Sequence, residues 1–301
     1  MNKKKVLLLI AVVLLLFTMT GCSIPRDAND QNILIGLSDH PEVPNQIITS
    51  FSEIWEAEGF FSAIFVYPLS QFINWLTPFS DVGVAILVVA ITINAILLLF
   101  TFKQNVAMQK MQMIQPEVER IQRKYEGKTD QHSQLRMSTE IQNLYKKNQV
   151  NPFGSLVVTF IQFPILIAMY HAVQRAYAVA YGRFLGISLE VSPINGIMDG
   201  NMMYLVLFVL MVIAQASSML LPQYLSKRRA KKEAELHHRP YRETKNPMMS
   251  SMYIMVAVIS LVAITWPTAM SLYWMISSLI NIVKTLLVQR FTNRQKAKEA
   301  L

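Results

Sequence analysis

The sequence predicts an all-α polytopic membrane protein, with five mature transmembrane helices around a hydrophilic groove, a cytoplasmic helical hairpin and an interfacial helix. Three observations carry that expectation. Val82–Phe102 runs for 21 residues without one ionisable side chain. At about 1.5 Å per residue, a helix of that length crosses a hydrocarbon core of about 30 Å. Apolar residues make up 52% of the 301-residue chain against 16% charged, and they come in blocks of membrane length where a soluble core would interleave them with polar residues. Lysine and arginine are concentrated in alternate connections, as in polytopic proteins with a fixed orientation.

Residues 1–21 read as a signal peptide, in which Lys3, Lys4 and Lys5 precede an apolar run, Val6–Phe17, that is too short to span. The ending Met19-Thr20-Gly21-Cys22 resembles a bacterial lipobox, which implies a diacylglyceryl, palmitate-bearing Cys22 at the mature N-terminus. An incidental cysteine beside an uncleaved anchor is the plainer alternative. Cys22 is the only cysteine, so neither an intrachain disulfide nor a cysteine-based metal site can form. Residues 22–59 read as an acidic, loop-like extracellular segment with Arg26 as the lone basic residue.

Over 60–78, Phe61, Ile64, Phe65, Leu69, Phe72, Ile73 and Leu76 share one helical face, and Tyr67, Ser70, Gln71 and Asn74 the other. That pattern suits a helix lying in the membrane interface, or one packing on a partner. The first span follows at 82–102. Within 103–150, Met111, Ile114, Val118, Ile121 and Tyr125 recur at three- and four-residue steps. The pattern breaks over Gly127–Ser133 and resumes through Leu135, Ile141, Leu144 and Tyr145. Two helices closed by a narrow apolar seam make a hairpin, whose methionines either fill the seam or offer an adaptable surface to a client. Further spans are expected over 153–174, 202–225, 248–266 and 269–288, the last two joined so tightly, by Pro267-Thr268, that they form a transmembrane hairpin.

The hairpin of 103–150 holds nine Lys/Arg, the loop 226–247 eight and the tail 289–301 four, whereas 23–81 and the loop 181–201 hold one each. Basic connections stay in the cytoplasm. The C-terminus is therefore expected inside and Cys22 outside, in a multi-pass protein of the cell membrane. The net charge of +9 follows from this topology, and no specific nucleic-acid partner is implied.

Polar side chains interrupt four of the spans at mid-depth: Thr92 and Asn94, then Gln162, then Gln215 with Ser217 and Ser218, and finally Ser277, Ser278 and Asn281. Lipid cannot pair such groups, so they face the bundle interior or water. They either hydrogen-bond between helices, at about 0.6 kcal/mol each, or line a shared hydrated pocket. No charged residue is expected at mid-depth: Lys284 is placed close enough to the cytoplasmic end to snorkel and Arg175 at the outer end. His171 reads as interfacial or hydrogen-bonded. Ion-coupled transport needs intramembrane charge, and no metal-ligand motif, nucleophile elbow, P-loop or aspartate pair is present. The expectation is a non-enzyme with no catalytic residue, no metal and no cofactor.

The order of parts resembles the YidC-type membrane insertases in their Gram-positive lipoprotein form. Asn151-Pro152 and Gly154 open the second span, followed by Gln162-Phe163-Pro164-Ile165 and Tyr170. Trp266-Pro267 and Leu272-Tyr273-Trp274 mark the turn into the last span, and Gln115-Pro116 starts the hairpin. The resemblance implies a groove open to cytoplasm and lipid but closed toward the outside. Polar segments of nascent membrane proteins enter it while their apolar segments pass into the bilayer, with no nucleotide hydrolysis. It points to Thr92, Asn94, Gln162, Gln215, Ser277, Ser278 and Asn281 as groove residues, and to the Sec translocon and ribosome as further partners. Many members carry an arginine in the first span where this chain has Asn94. A hydrated but uncharged groove is thus expected here, with Asn94→Arg tolerated. A non-catalytic assembly scaffold is the alternative, and a small-solute channel or transporter a third reading.

Overall fold

The computed structural model describes residues 24–37, 46–148, 150, 154–236, 238 and 247–299. The expected signal peptide, Cys22, Asn151-Pro152 and residues 239–246 of the basic loop lie outside them. Strand β1 (Leu34–Ile35) pairs in parallel with β2 (Ile47–Ile48), so the acidic N-terminal segment holds regular structure where its composition reads as loop. Helix α1 (Phe51–Glu58) follows, started by a reciprocal cap: Ser50 Oγ accepts from Glu53 N, and Glu53 Oε2 accepts from Thr49 N. A π-helical turn (Ser62–Val66) leads into α2 (Tyr67–Leu76) and a 3-10 turn (Thr77–Phe79).

The polar face of α2 is its inner one. Ser70 and Asn74 are 0% and 3% exposed. Asn74 donates to Ile35 O at 2.7 Å and accepts from Ala178 N at 3.0 Å, while Gln71 donates to Gly36 O at 2.9 Å. A two-residue strand leaves backbone groups without ladder partners, and buried groups of that kind must be paired; the amides of α2 pair them. Phe60, Ile64, Trp75 and Phe79 remain exposed.

Helix α3 (Val82–Met113) continues the first span for eleven residues beyond Phe102, so the hairpin begins later than residue 103. The break falls at Ile114, before Pro116, whose ring and missing N–H end a helix. Helices α4 (Gln115–Lys124) and α5 (Gln131–Lys147) form the hairpin. Gly127 at φ 79° turns the chain, Asp130 caps α5 by accepting from Ser133 N at 2.8 Å, and Glu140 accepts from Lys124 Nζ and Tyr125 Oη at 2.7 and 2.6 Å. Helices α6 (Gly154–Arg175), α7 (Tyr177–Tyr181), α8 (Pro193–Met198), α9 (Met202–Leu236), α10 (Pro247–Thr265) and α11 (Thr268–Glu299) complete the chain.

Among the described residues, three stretches are long and apolar enough to cross a membrane: Val82–Phe102, Met202–Arg228 and Thr268–Arg290, with Met252–Thr265 a shorter apolar helix. Ile96, Leu99 and Phe100 on α3, Ile213 on α9, Ile254 and Leu261 on α10 and Val283 on α11 all stand exposed. Apolar faces this extensive need lipid to cover them.

The chain divides into two compact units. The first comprises Met1–Thr92, Phe160–Val209 and Leu261–Trp274. Ile35, Ile48, Ile54, Ala63, Val66, Ala168 and Ala172 form a buried cluster within it. There Arg175, at the end of α6, is fully buried, donates to both carboxylate oxygens of Glu58, and donates to Ile33 O at 2.8 Å. The α10–α11 turn is tied down by Thr268, whose N and Oγ1 both donate to Val191 O, and by Ala269 N donating to Leu189 O. The second unit comprises Ile93–Thr159, Leu210–Ser260 and Met275–Leu301; it contains the α4–α5 hairpin and a buried polar cluster.

Candidate intramembrane polar site

Asn94 lies past the midpoint of the apolar part of α3 and is 3% exposed. Its amide Nδ2 donates to Ser277 Oγ at 3.1 Å, and its Oδ1 accepts from Lys284 Nζ at 3.1 Å. An ammonium can only donate, so this bond fixes which end of the amide carries the oxygen and leaves Nδ2 for the serine. Ser277 and Lys284 are seven residues apart on α11 and hence on one face, about 10 Å apart along the axis. A second pair lies beside them: Ser278 Oγ donates to Gln215 Oε1, and Gln215 Nε2 reaches Met219 Sδ. Asn94, Gln215, Ser277 and Ser278, all groove candidates, are thus joined in two hydrogen-bonded sets.

Lys284 belongs to this cluster against the sequence expectation. Helical side chains lean toward the helix N-terminus, and for α11 that direction leads away from the basic end and back toward Ser277. Asn94 offers an acceptor there, so the ammonium is held along the span. The signal was present in the sequence as the seven-residue step from Ser277, but nothing in it announced that Asn94 would face that step. Depth along the spans offers Thr92, Gln162, Gln215 and water as partners for Asn94; among its bonds in the fold are those to Ser277 and Lys284.

The other candidates stand differently. Thr92 Oγ1 bonds back to Val88 O of its own helix at 2.9 Å, the usual habit of a mid-helix threonine. Thr92 and the half-buried Gln162 belong to the first unit. Ser217 and Asn281 are exposed, Ser218 half-buried. Asn281 lies between the buried Ser277 and the half-buried Lys284 on α11, so the row they form is open at its middle residue. His171 is buried beside the Tyr170 ring. Three of the motif residues converge in the first unit: the Trp266 ring lies 4.3 Å from Tyr170 and stacks on Trp274 at 5.4 Å. That assembly fixes the turn between the last two helices. Among the described residues no cluster of side chains is suited to hold a metal ion.

Apolar helices of membrane length that enclose hydrogen-bonded amides, hydroxyls and a lysine define a polytopic all-α membrane protein. The family model described as 60Kd inner membrane protein matches residues 74–296. The chain belongs to that family, the YidC-type insertases. A relative from Bacillus anthracis, membrane protein insertase YidC 2, is 31% identical over 291 residues, covering 95% of this chain and 94% of the relative. Membrane protein insertase MisCA of Bacillus subtilis is 29% identical over 238 residues, 78% of this chain and 81% of its own. A crystal structure of an active YidC insertase has a TM-score of 0.53 and 21% identity over 78% of this chain. The match takes in 51% of that solved chain, and the likeness is one of fold.

Proposed function

We infer that this chain is a membrane protein insertase. The observation that carries the reading is a buried polar cluster on α3, α9 and α11, in a member of this family, on helices whose other faces are bare and apolar. A client's polar segment costs several kcal/mol per unpaired group in hydrocarbon. Asn94, Gln215, Ser277, Ser278 and Lys284, with Asn281, supply partners that lower that cost. The client's apolar segment moves into lipid, which yields about 0.8 kcal/mol per buried CH2. No nucleotide, metal, cofactor or covalent step is invoked.

Five spans, over 82–102, 153–174, 202–225, 248–266 and 269–288, set the hairpin, the basic loop and the tail in the cytoplasm, with a lipidated Cys22 outside. The partition of Lys and Arg supports this orientation. The exposed Phe60, Trp75 and Phe79 suit the headgroup region, with α2 in the interface. Nascent membrane proteins are the clients, and the Sec translocon and ribosome are cooperating partners. The test is site-specific photocrosslinking from position 94 in living cells. A stalled single-span client should be captured there, and a probe at the exposed Leu205 should capture lipid. Capture of only mature partner subunits at position 94 would replace the insertase with an assembly scaffold.

A further inference from the structure

We propose that Lys284 is the group by which this site selects clients with acidic translocated tails, and that Asn94 is the positioning residue that holds its ammonium at depth. The proposal rests on the insertase reading and adds to it a charge that the first span lacks. Lys284 takes no part in the ion pairs Arg26–Asp30, Lys124–Glu140 and Arg175–Glu58. Asn94 occupies one of its three N–H donors, and a neutral amide leaves the positive charge uncompensated. The residues joined to it in the row, Asn94 and Ser277, carry no negative charge. A cation at such a position is costly unless something pairs with it; a carboxylate on an entering tail would do so. The exposed Asn281, between Ser277 and Lys284 on the same helix, marks the open side by which a tail reaches it.

The same geometry reverses the expectation for Asn94→Arg. An arginine there would set a guanidinium against the half-buried Lys284 ammonium, two like charges with no anion between them. Positions 94 and 284 are complementary, and together they accommodate one cation.

The experiment uses the full chain in proteoliposomes and two single-span clients that differ only in an acidic or a neutral tail. Insertion is read by protease protection. The wild-type protein should favour the acidic tail. Lys284→Gln should lower the acidic-to-neutral ratio about tenfold, the loss of one charge-assisted hydrogen bond, while Lys284→Arg keeps it. Asn94→Arg should depress both clients, and Asn94→Arg combined with Lys284→Asn, which exchanges the two groups, should recover the acidic preference. An unchanged ratio in Lys284→Gln, whether both clients fall together or neither does, would overturn the proposal while leaving the insertase standing. So would an exchanged pair no better than Asn94→Arg alone. Wild-type protein that inserts neither client would instead overturn the insertase reading.

Discussion

Glu58→Gln tests the buried ion pair that ties the N-terminal segment to α6. Arg175 is fully buried, and its guanidinium meets the Glu58 carboxylate through two parallel bonds, one of them 2.6 Å, while Nε holds Ile33 O. Glutamine keeps the shape but offers one acceptor where there were two, and its NH2 opposes a guanidinium N–H. The arginine is left as a buried charge without a counterion. Breaking one side of such a pair costs about 3–5 kcal/mol, and about 1.4 kcal/mol is a factor of ten. Local opening should therefore rise by about two to three and a half powers of ten. Hydrogen exchange reads it directly at Leu34 N and Gly36 N, which bond to Gln46 O and Ile48 O across the β1–β2 pair. The Ala168–Ala172 turn of α6, one side of the same core, should change far less. Replacing the whole pair, with Glu58→Leu and Arg175→Met together, should cost much less than Glu58→Gln alone, because no charge is stranded. Exchange at Leu34 and Gly36 within threefold of wild type in Glu58→Gln would refute the reasoning.

Mass spectrometry of the membrane-resident protein should find a diacylglyceryl cysteine at Cys22; a chain beginning at Met1 would contradict lipidation. Cysteines placed at Thr129 and Glu235 should be shielded from an impermeant thiol reagent in intact cells, and one at Asp199 should react. Asp199 is preferable to Gly196, where an added Cβ would strike the Tyr204 ring. Bonds from Lys124 and then Tyr125 hold the Glu140 carboxyl below its usual range. A depressed carboxylate stabilises the fold above its unfolded value of about 4.3 and loses that contribution as pH falls through the folded value. Protection of the α4–α5 hairpin should thus be flat from neutral pH to about 5 and fall below about 4.3; Glu140→Gln should weaken the dependence, and the Asp130 carboxyl, also lowered by the bond from Ser133 N, should carry the remainder. Amides of α5 should also exchange faster than those of the Met169–Val173 part of α6; equal protection would argue against a mobile, client-receiving arm.

The stretches Val82–Phe102, Met202–Arg228 and Thr268–Arg290 and the turn at Trp266-Pro267 were legible because a bilayer imposes a length and a hydropathy that a single pass along the chain can measure. Other features depended on pairings that no local pattern states. Periodicity separated the two faces of α2, but the inner one carries Ser70 and Asn74 because β1 leaves backbone groups beside them. Helix α1 was announced by Ser50-x-x-Glu53, a capping signature masked by the acidic composition around it. Arg175 and Lys284 both looked like cations near span ends. Arg175 stays inside because Glu58, 117 residues earlier, meets it. Lys284 stays inside because its stem leans toward the helix N-terminus, where Asn94, 190 residues earlier, accepts its bond. Asn94 itself was identified correctly as a buried amide in need of partners, while the identity of those partners came only with the fold.

An insertase moves a client's polar tail across a membrane and delivers its apolar segment to lipid. The most direct measurement is insertion of a purified single-span client into liposomes that contain only this protein, without translocon or nucleotide, scored by protease protection of the tail. Insertion should rise with the amount of wild-type protein per vesicle and fall with Asn94→Leu, which removes the amide joining Ser277 and Lys284. Equal protection in protein-free, wild-type and Asn94→Leu vesicles would contradict the account.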